Sequence, residues 1–125
     1  MLTKKYEITD AELEIIKVLW ENGELTLNEI VDFLSKEEKK NKSTIKTLLY
    51  RLIEKESVKS ITNKHKENTY MAIVKKDEYL RKENESFLKK LYNGSTNKLL
   101  LNFVEEKKIS KKDLQDLLDL IESED

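Results

Sequence analysis

The sequence predicts a mainly α-helical fold with one small β-hairpin. Three observations lead there. Apolar residues recur at helical spacing along most of the chain, Ser/Thr-x-x-Glu/Asp capping boxes stand at the heads of three of those runs, and a single stretch, residues 58–74, is rich in β-branched residues around a polar tip. The 125 residues contain no proline and only two glycines, so little interrupts the helices. With no cysteine and one histidine, the chain offers no disulfide framework, no Cys-ligated zinc and no thiol nucleophile. No apolar run approaches the roughly 20 residues that span a bilayer, and the N-terminus lacks the apolar stretch of a signal peptide, so the expected location is the cytoplasm, with no membrane insertion.

The first helix opens on Thr9 with Glu12 at the third helical position, and Ile8 and Leu13 are spaced as a hydrophobic staple. Leu13, Ile16, Leu19 and Trp20 fall on one side, and Gly23 suits the left-handed residue that ends a helix. Trp20 is read as core. Thr26 and Glu29 repeat the box for a short second helix, striped by Ile30, Val31 and Leu34, which runs into a charged connector at residues 36–40. The third helix is expected from Ser43 to about Lys55, with Ile45, Leu48, Leu49, Leu52 and Ile53 as its buried stripe. Val58–Thr62 and Thr69–Val74 then form the hairpin around residues 63–68, with Tyr70 packing against the helices.

Overall charge is close to balanced, at 24 basic and 25 acidic residues, but it is segregated. Residues 41–70 carry 7 basic and 3 acidic side chains, and residues 71–102 carry 7 and 4, between two acidic ends. A polyanion responds to that local field rather than to the sum. The polar side of the third helix presents Ser43, Lys46, Thr47 and Tyr50, flanked by Thr44 and Arg51, with no acidic residue before Glu54. Hydroxyl, ammonium, phenol and guanidinium groups can approach phosphates and base edges without repulsion. Three helices followed by a hairpin with a basic tip describe a winged helix-turn-helix, expected over residues 1–75. The expected DNA-binding residues are Lys42, Ser43, Thr44, Lys46, Thr47, Tyr50 and Arg51 on the helix and Lys64 and Lys66 on the wing. Lys55 and Lys59 add to the cations on offer. His65, in the turn, reads as a solvated side chain.

Residues 76–125 carry helices without strands. Leu80, Phe87, Leu88 and Leu91 stripe the first, Ser95 opens a dense apolar run from Leu99 to Val104, and a Ser110–Asp113 box starts a last helix striped by Leu114, Leu117, Leu118 and Ile121. Three short helices have too little company in one chain to hide so many leucines. A second copy is the expected cover, making this a dimerisation arm through Leu99, Leu100, Phe103, Leu114, Leu117, Leu118 and Ile121.

The order of elements and several strings resemble the penicillinase-repressor family of BlaI/MecI-like transcriptional repressors. The resemblance runs over nearly the whole chain: Tyr6-Glu7-Ile8, the Trp20 helix, Thr44-Ile45-Lys46-Thr47-Leu48-Leu49-Tyr50-Arg51-Leu52, and Leu101-Asn102-Phe103-Val104-Glu105. It implies a homodimeric repressor of β-lactam resistance or related operons, one winged helix on each half of a palindromic double-stranded operator. It also implies relief of repression by a pathway in which a membrane sensor with a metalloprotease domain triggers cleavage of an Asn–Phe bond, here Asn102–Phe103. By the same resemblance, Thr44, Lys46, Thr47 and Arg51 fall on the DNA-contacting helix. Three positions depart from the pattern: Lys46 replaces a common arginine and loses bidentate reading of guanine, Ser57 replaces a glycine that commonly ends the third helix, and Lys42 replaces a proline. The copper-responsive branch carries a C-terminal cysteine cluster that this chain lacks.

No enzyme is expected, and no catalytic residue, metal or cofactor. The acidic residues sit on periodic solvent faces and the single histidine lies in a turn, without the partner that acid–base catalysis requires. Two other readings compete with a β-lactam-linked repressor: a winged-helix module that binds protein, and a generic operon repressor with a different inducer. A protein-binding module would show an exposed apolar patch where this sequence places cations.

Overall fold

Each early helix starts where a side chain can satisfy its free backbone amides. The computed structural model describes residues 7–35 and 40–123. Residues 1–6, Tyr6 among them, and most of the charged connector, residues 36–39, lie outside the described residues. Thr9 N donates to Glu12 Oε1 at 3.0 Å and Glu12 N donates to Thr9 Oγ1 at 3.2 Å, and α1 runs from this box over Asp10–Asn22 to Gly23 at φ 79°. The second box has the same form, with Thr26 N donating to Glu29 at 2.8 Å and Glu29 N to Thr26 at 3.2 Å, and it heads α2, Leu27–Ser35.

Helix α3 spans Lys42–Glu54, one residue earlier than the sequence suggests, because Asn41 Oδ1 caps it by accepting from Thr44 N at 2.9 Å. Lys42 is therefore the first helical residue, a position at which proline is also well accommodated. At the other end, Glu56 takes the left-handed conformation at φ 62°, donating to Ile53 O at 3.0 Å while Ser57 N donates to Leu52 O at 2.9 Å. This is a Schellman closure. The left-handed residue that ends α3 is thus Glu56 rather than Ser57, which instead accepts from Ile73 N at 2.8 Å.

The sequence suggested a hairpin, and the structure adds a third strand to it. Strands β2, Val58–Thr62, and β3, Asn68–Ala72, pair antiparallel in the register Val58↔Ala72 to Thr62↔Asn68. A two-residue strand β1, Leu25–Thr26, pairs with the other edge of β3 through Leu25↔Tyr70 and Thr26↔Thr69, giving the order β1-β3-β2. Two residues are too short for any alternation to be read. Strand β3 ends at Ala72, not Val74, because Ile73 and Val74 both turn their amides to Ser57 O.

One core joins these elements: Ile15, Ile16 and Leu19 of α1, Leu25, Ile30 and Leu34, Ile45, Leu48, Leu49 and Leu52 of α3, and Val58. Ile15 lies outside the stripe read from sequence and is fully buried, because α1 is covered on a wide arc by α2, α3 and β3. Trp20 is half-buried, its Nε1 donating to Val74 O at 2.9 Å and its ring 5.7 Å from that of Tyr79. The chain divides between Tyr79 and Leu80 into two compact units, where the sequence suggested a boundary after residue 75.

Helices α4, Lys76–Tyr92, α5, Thr96–Glu105, and α6, Lys111–Ser123, complete the chain. Ser95 Oγ caps α5 by accepting from Lys98 N at 3.1 Å, and Ser110 and Asp113 exchange two 3.0 Å hydrogen bonds at the head of α6. None of the described residues of these three helices is buried. Among the described residues no helix is long and apolar enough to cross a membrane, and no cluster of His, Cys, Asp or Glu is arranged to hold a metal ion.

Candidate nucleic-acid interface

The apolar side of α3 is held in the core by Ile45, Leu48, Leu49 and Leu52, and this packing turns the opposite side outward. Lys42, Ser43, Thr44, Lys46, Thr47, Tyr50 and Arg51 are all exposed, Tyr50 by 58%. The 3.6-residue period alone produces this face: once the apolar stripe is fixed, these side chains must point to solvent. Thr47 Oγ1 donates to Ser43 O at 3.1 Å, which leaves its oxygen lone pairs and methyl group for any ligand.

The wing contributes Lys59 on β2 and Lys64 and Lys66 at its tip, all exposed, with His65 exposed between them. Among the described residues none of Lys42, Lys46, Arg51, Lys59, Lys64 and Lys66 pairs with a carboxylate. Six cations per chain are therefore open to an anionic partner.

Lys55 does not join them. Its ammonium donates to Glu12 Oε1 at 2.5 Å and to Glu7 O at 2.7 Å, tying the end of α3 to the start of α1. Glu12 is only 1% exposed. Burial alone would raise its pKa, but the hydrogen bond from Lys55, the Thr9 amide, the Lys55 charge and the Thr9 side chain together outweigh it and hold the carboxyl below its ordinary value. Periodicity placed Lys55 beside Arg51, and nothing local indicated a partner 43 residues away.

Two further groups escaped the sequence reading. Glu24, in the turn before β1, accepts a short hydrogen bond from Thr69 Oγ1, and Thr69 is buried. Asn63 collects the backbone of the wing tip: its Oδ1 accepts from His65 N at 2.8 Å and Glu67 N at 3.0 Å. An asparagine opening a polar loop is the usual signal for such an Asx turn.

In the second unit, Leu114, Leu117, Leu118 and Ile121 are 40–62% exposed along α6, while Leu99, Leu100 and Phe103 of α5 are half-buried. Asn102 and Phe103 lie in the last turns of α5. Asn102 O accepts from Glu106 N at 3.0 Å, and Phe103 O accepts from Lys108 N at 2.8 Å in a second Schellman closure with Lys107 at φ 60°. Asn102 Oδ1 accepts from Tyr92 OH at 3.0 Å, and the Tyr92 ring lies 5.8 Å from that of Phe87.

These elements define a winged helix whose third helix and wing carry cations that pair with no carboxylate among the described residues, in a chain whose last helix leaves its leucines exposed. The penicillinase repressor family profile matches residues 8–123. The penicillinase repressor of Bacillus licheniformis is 35% identical over 119 residues, covering 93% of this chain and 90% of that one. The methicillin resistance regulatory protein MecI of Staphylococcus aureus strain N315 is 29% identical over 124 residues, covering 97% and 98%. The solution structure of the monomeric form of B. licheniformis BlaI in complex with the blaP half-operator superposes with a TM-score of 0.54 at 33% identity, covering 61% of this chain and 92% of that one. The chain belongs to the penicillinase repressor family, whose members are transcriptional repressors rather than enzymes.

Proposed function

We propose that this chain is a homodimeric repressor, acting in the cytoplasm, that binds a palindromic operator through α3 and the wing of each copy. In this reading residues 1–75 bind DNA and residues 76–125 dimerise. The observation that carries it is the set of six exposed cations on α3 and the wing that pair with no carboxylate among the described residues, on a fold shared with a relative solved on its half-operator. Thr44, Lys46 and Thr47 read base edges, Tyr50 packs on sugar or a thymine methyl group, and Lys42, Ser43, Arg51, Lys64 and Lys66 meet the backbone. The regulated genes are those of β-lactam resistance or a related operon, by analogy with the named relatives.

Repression is relieved by cutting Asn102–Phe103 through a membrane-sensor metalloprotease pathway. The cut removes α6 and the end of α5, and with them Phe103, Leu114, Leu117, Leu118 and Ile121 from the dimer contact. A half-site bound by one chain loses the effective concentration that a linked second copy supplies. Both carbonyls of the scissile pair are hydrogen-bonded, so the bond is cut from a locally opened α5.

The test is selection of bound duplexes from a random pool, repeated with Lys46→Ala and Lys64→Ala. A palindrome is expected, its sequence preference shifted by Lys46→Ala and its affinity lowered uniformly across sequences by Lys64→Ala. A pool that shows no enrichment contradicts the reading.

A further inference from the structure

We infer that Asn63 is the positioning residue of the wing: without touching DNA, it fixes the turn that presents Lys64 and Lys66 to the phosphodiester backbone. The inference rests on the DNA-binding reading above and deepens it. The wing tip between Thr62 and Asn68 has no apolar anchor, and its three middle residues, Lys64, His65 and Lys66, are exposed. What order it has comes from Asn63. The amides of His65, Lys66 and Glu67 all donate to this one residue, the first and third to Oδ1 at 2.8 and 3.0 Å and the second to the main-chain oxygen at 2.9 Å. Asn63 N in turn donates to Glu67 O at 2.9 Å, and Thr62 Oγ1 donates to Asn68 Oδ1 at 2.9 Å to close the strand ends beneath.

The turn also holds Lys66 at φ 61°, a conformation unfavourable for lysine. It persists because the Asn63 hydrogen bonds over-determine it. Replacing Asn63 with alanine removes the acceptor shared by His65 and Glu67, and the loop relaxes into many conformations. Both lysines remain, with their full charge, but they must be ordered each time they meet phosphate, and that entropy is subtracted from binding. Lysine loss and Asn63 loss therefore leave different signatures. Removing a cation lowers both affinity and its salt dependence, because fewer counterions are released. Removing the organiser lowers affinity and leaves the salt dependence in place.

The experiment is fluorescence anisotropy of the full chain on the duplex it selects from a random pool, at several salt concentrations, with amide hydrogen exchange on the free protein. Asn63→Ala is expected to weaken binding of the dimer about a hundredfold, equivalent to the ordering cost of roughly one residue's backbone in each of its two wings, with an unchanged log–log salt slope. The His65 and Glu67 amides should exchange faster. Asn63→Ser, which forms the same turn more weakly, should recover part of both losses. Lys64→Ala and Lys66→Ala should each reduce the slope by about 2 per dimer. If the lysine variants behave so and Asn63→Ala binds like the parent, the positioning role is overturned while the DNA reading stands. If neither lysine variant alters affinity or slope, the wing does not meet phosphate, and the positioning role fails together with the wing's share of the DNA reading while that of α3 stands.

Discussion

In the first unit, α1 opens on the Thr9–Glu12 box and buries Ile15, Ile16 and Leu19, whereas in the second unit α6 opens on the equivalent Ser110–Asp113 box and leaves Leu114, Leu117, Leu118 and Ile121 exposed. The helix signals are the same in both. What differs is the company each helix keeps: α1 packs against α2, α3 and β3, while α4 to α6 contain no buried residue at all. Capping and periodicity specify a helix, but burial needs a surface to bury against. A stripe as apolar as that of α6 left in water is what the proposed dimer would cover.

The largest predicted effect breaks the second unit and spares the first. A chain ending at Asn102 should run as a monomer by sedimentation velocity at micromolar concentration, and its affinity for the selected palindrome should fall by about 10²-fold or more. Full dimerisation of that chain would move the interface elsewhere.

Next comes a matched pair of leucines. Leu49→Ala, in the closed core, should cost about 3 kcal/mol in urea unfolding at every protein concentration. Leu118→Ala, exposed in one chain, should act mainly on how the melting temperature depends on concentration, because in the proposed dimer its cost falls on the contact between copies. A concentration-independent loss for Leu118→Ala would mean that α6 is covered within its own chain.

The Glu12–Lys55 pair gives a pH test confined to the first unit. Because the folded pKa of Glu12 lies below its ordinary value, the pair contributes fully above about pH 4.5. That contribution is lost as pH falls through the lowered folded pKa. Lys55→Ala should cost about 3 kcal/mol at pH 7 by leaving a buried carboxylate unpaired, and much less once Glu12 is protonated. A loss that does not shrink as pH is lowered below about 4.5 would contradict the pairing.

The smallest effect concerns the end of α3. Glu56 sits at φ 62° with glycine's geometry, so Glu56→Gly should stabilise the chain by about 1 kcal/mol, read as a raised urea midpoint.

The legible and illegible parts of this chain separate by distance along the sequence. Capping boxes, the α3 stripe and the paired strands are local patterns, and their outward consequence, the basic face of α3, was legible with them. Lys55 was misread as a free cation because its partner lies 43 residues upstream. Strand β1 was missed because Leu25 and Thr26 become a strand only when β3 arrives beside them. Asn63 carried a readable signal, an asparagine at the head of a polar loop, but its charged neighbours Lys64 and Lys66 were the more visible feature. The Tyr92–Asn102 hydrogen bond joins two helices and has no local signature.

In the proposed repressor the basic face binds DNA and the exposed leucines of the arm pair two copies. Anisotropy titrations of the full chain and of the chain ending at Asn102, on one palindromic duplex across a salt series, test both halves together. The full chain should bind two copies per duplex with a log–log salt slope of about −7, for roughly four phosphates neutralised per copy, and the shortened chain should show about half that slope. Equal slopes and affinities for the two chains, or a slope near zero for the full chain, would contradict the account.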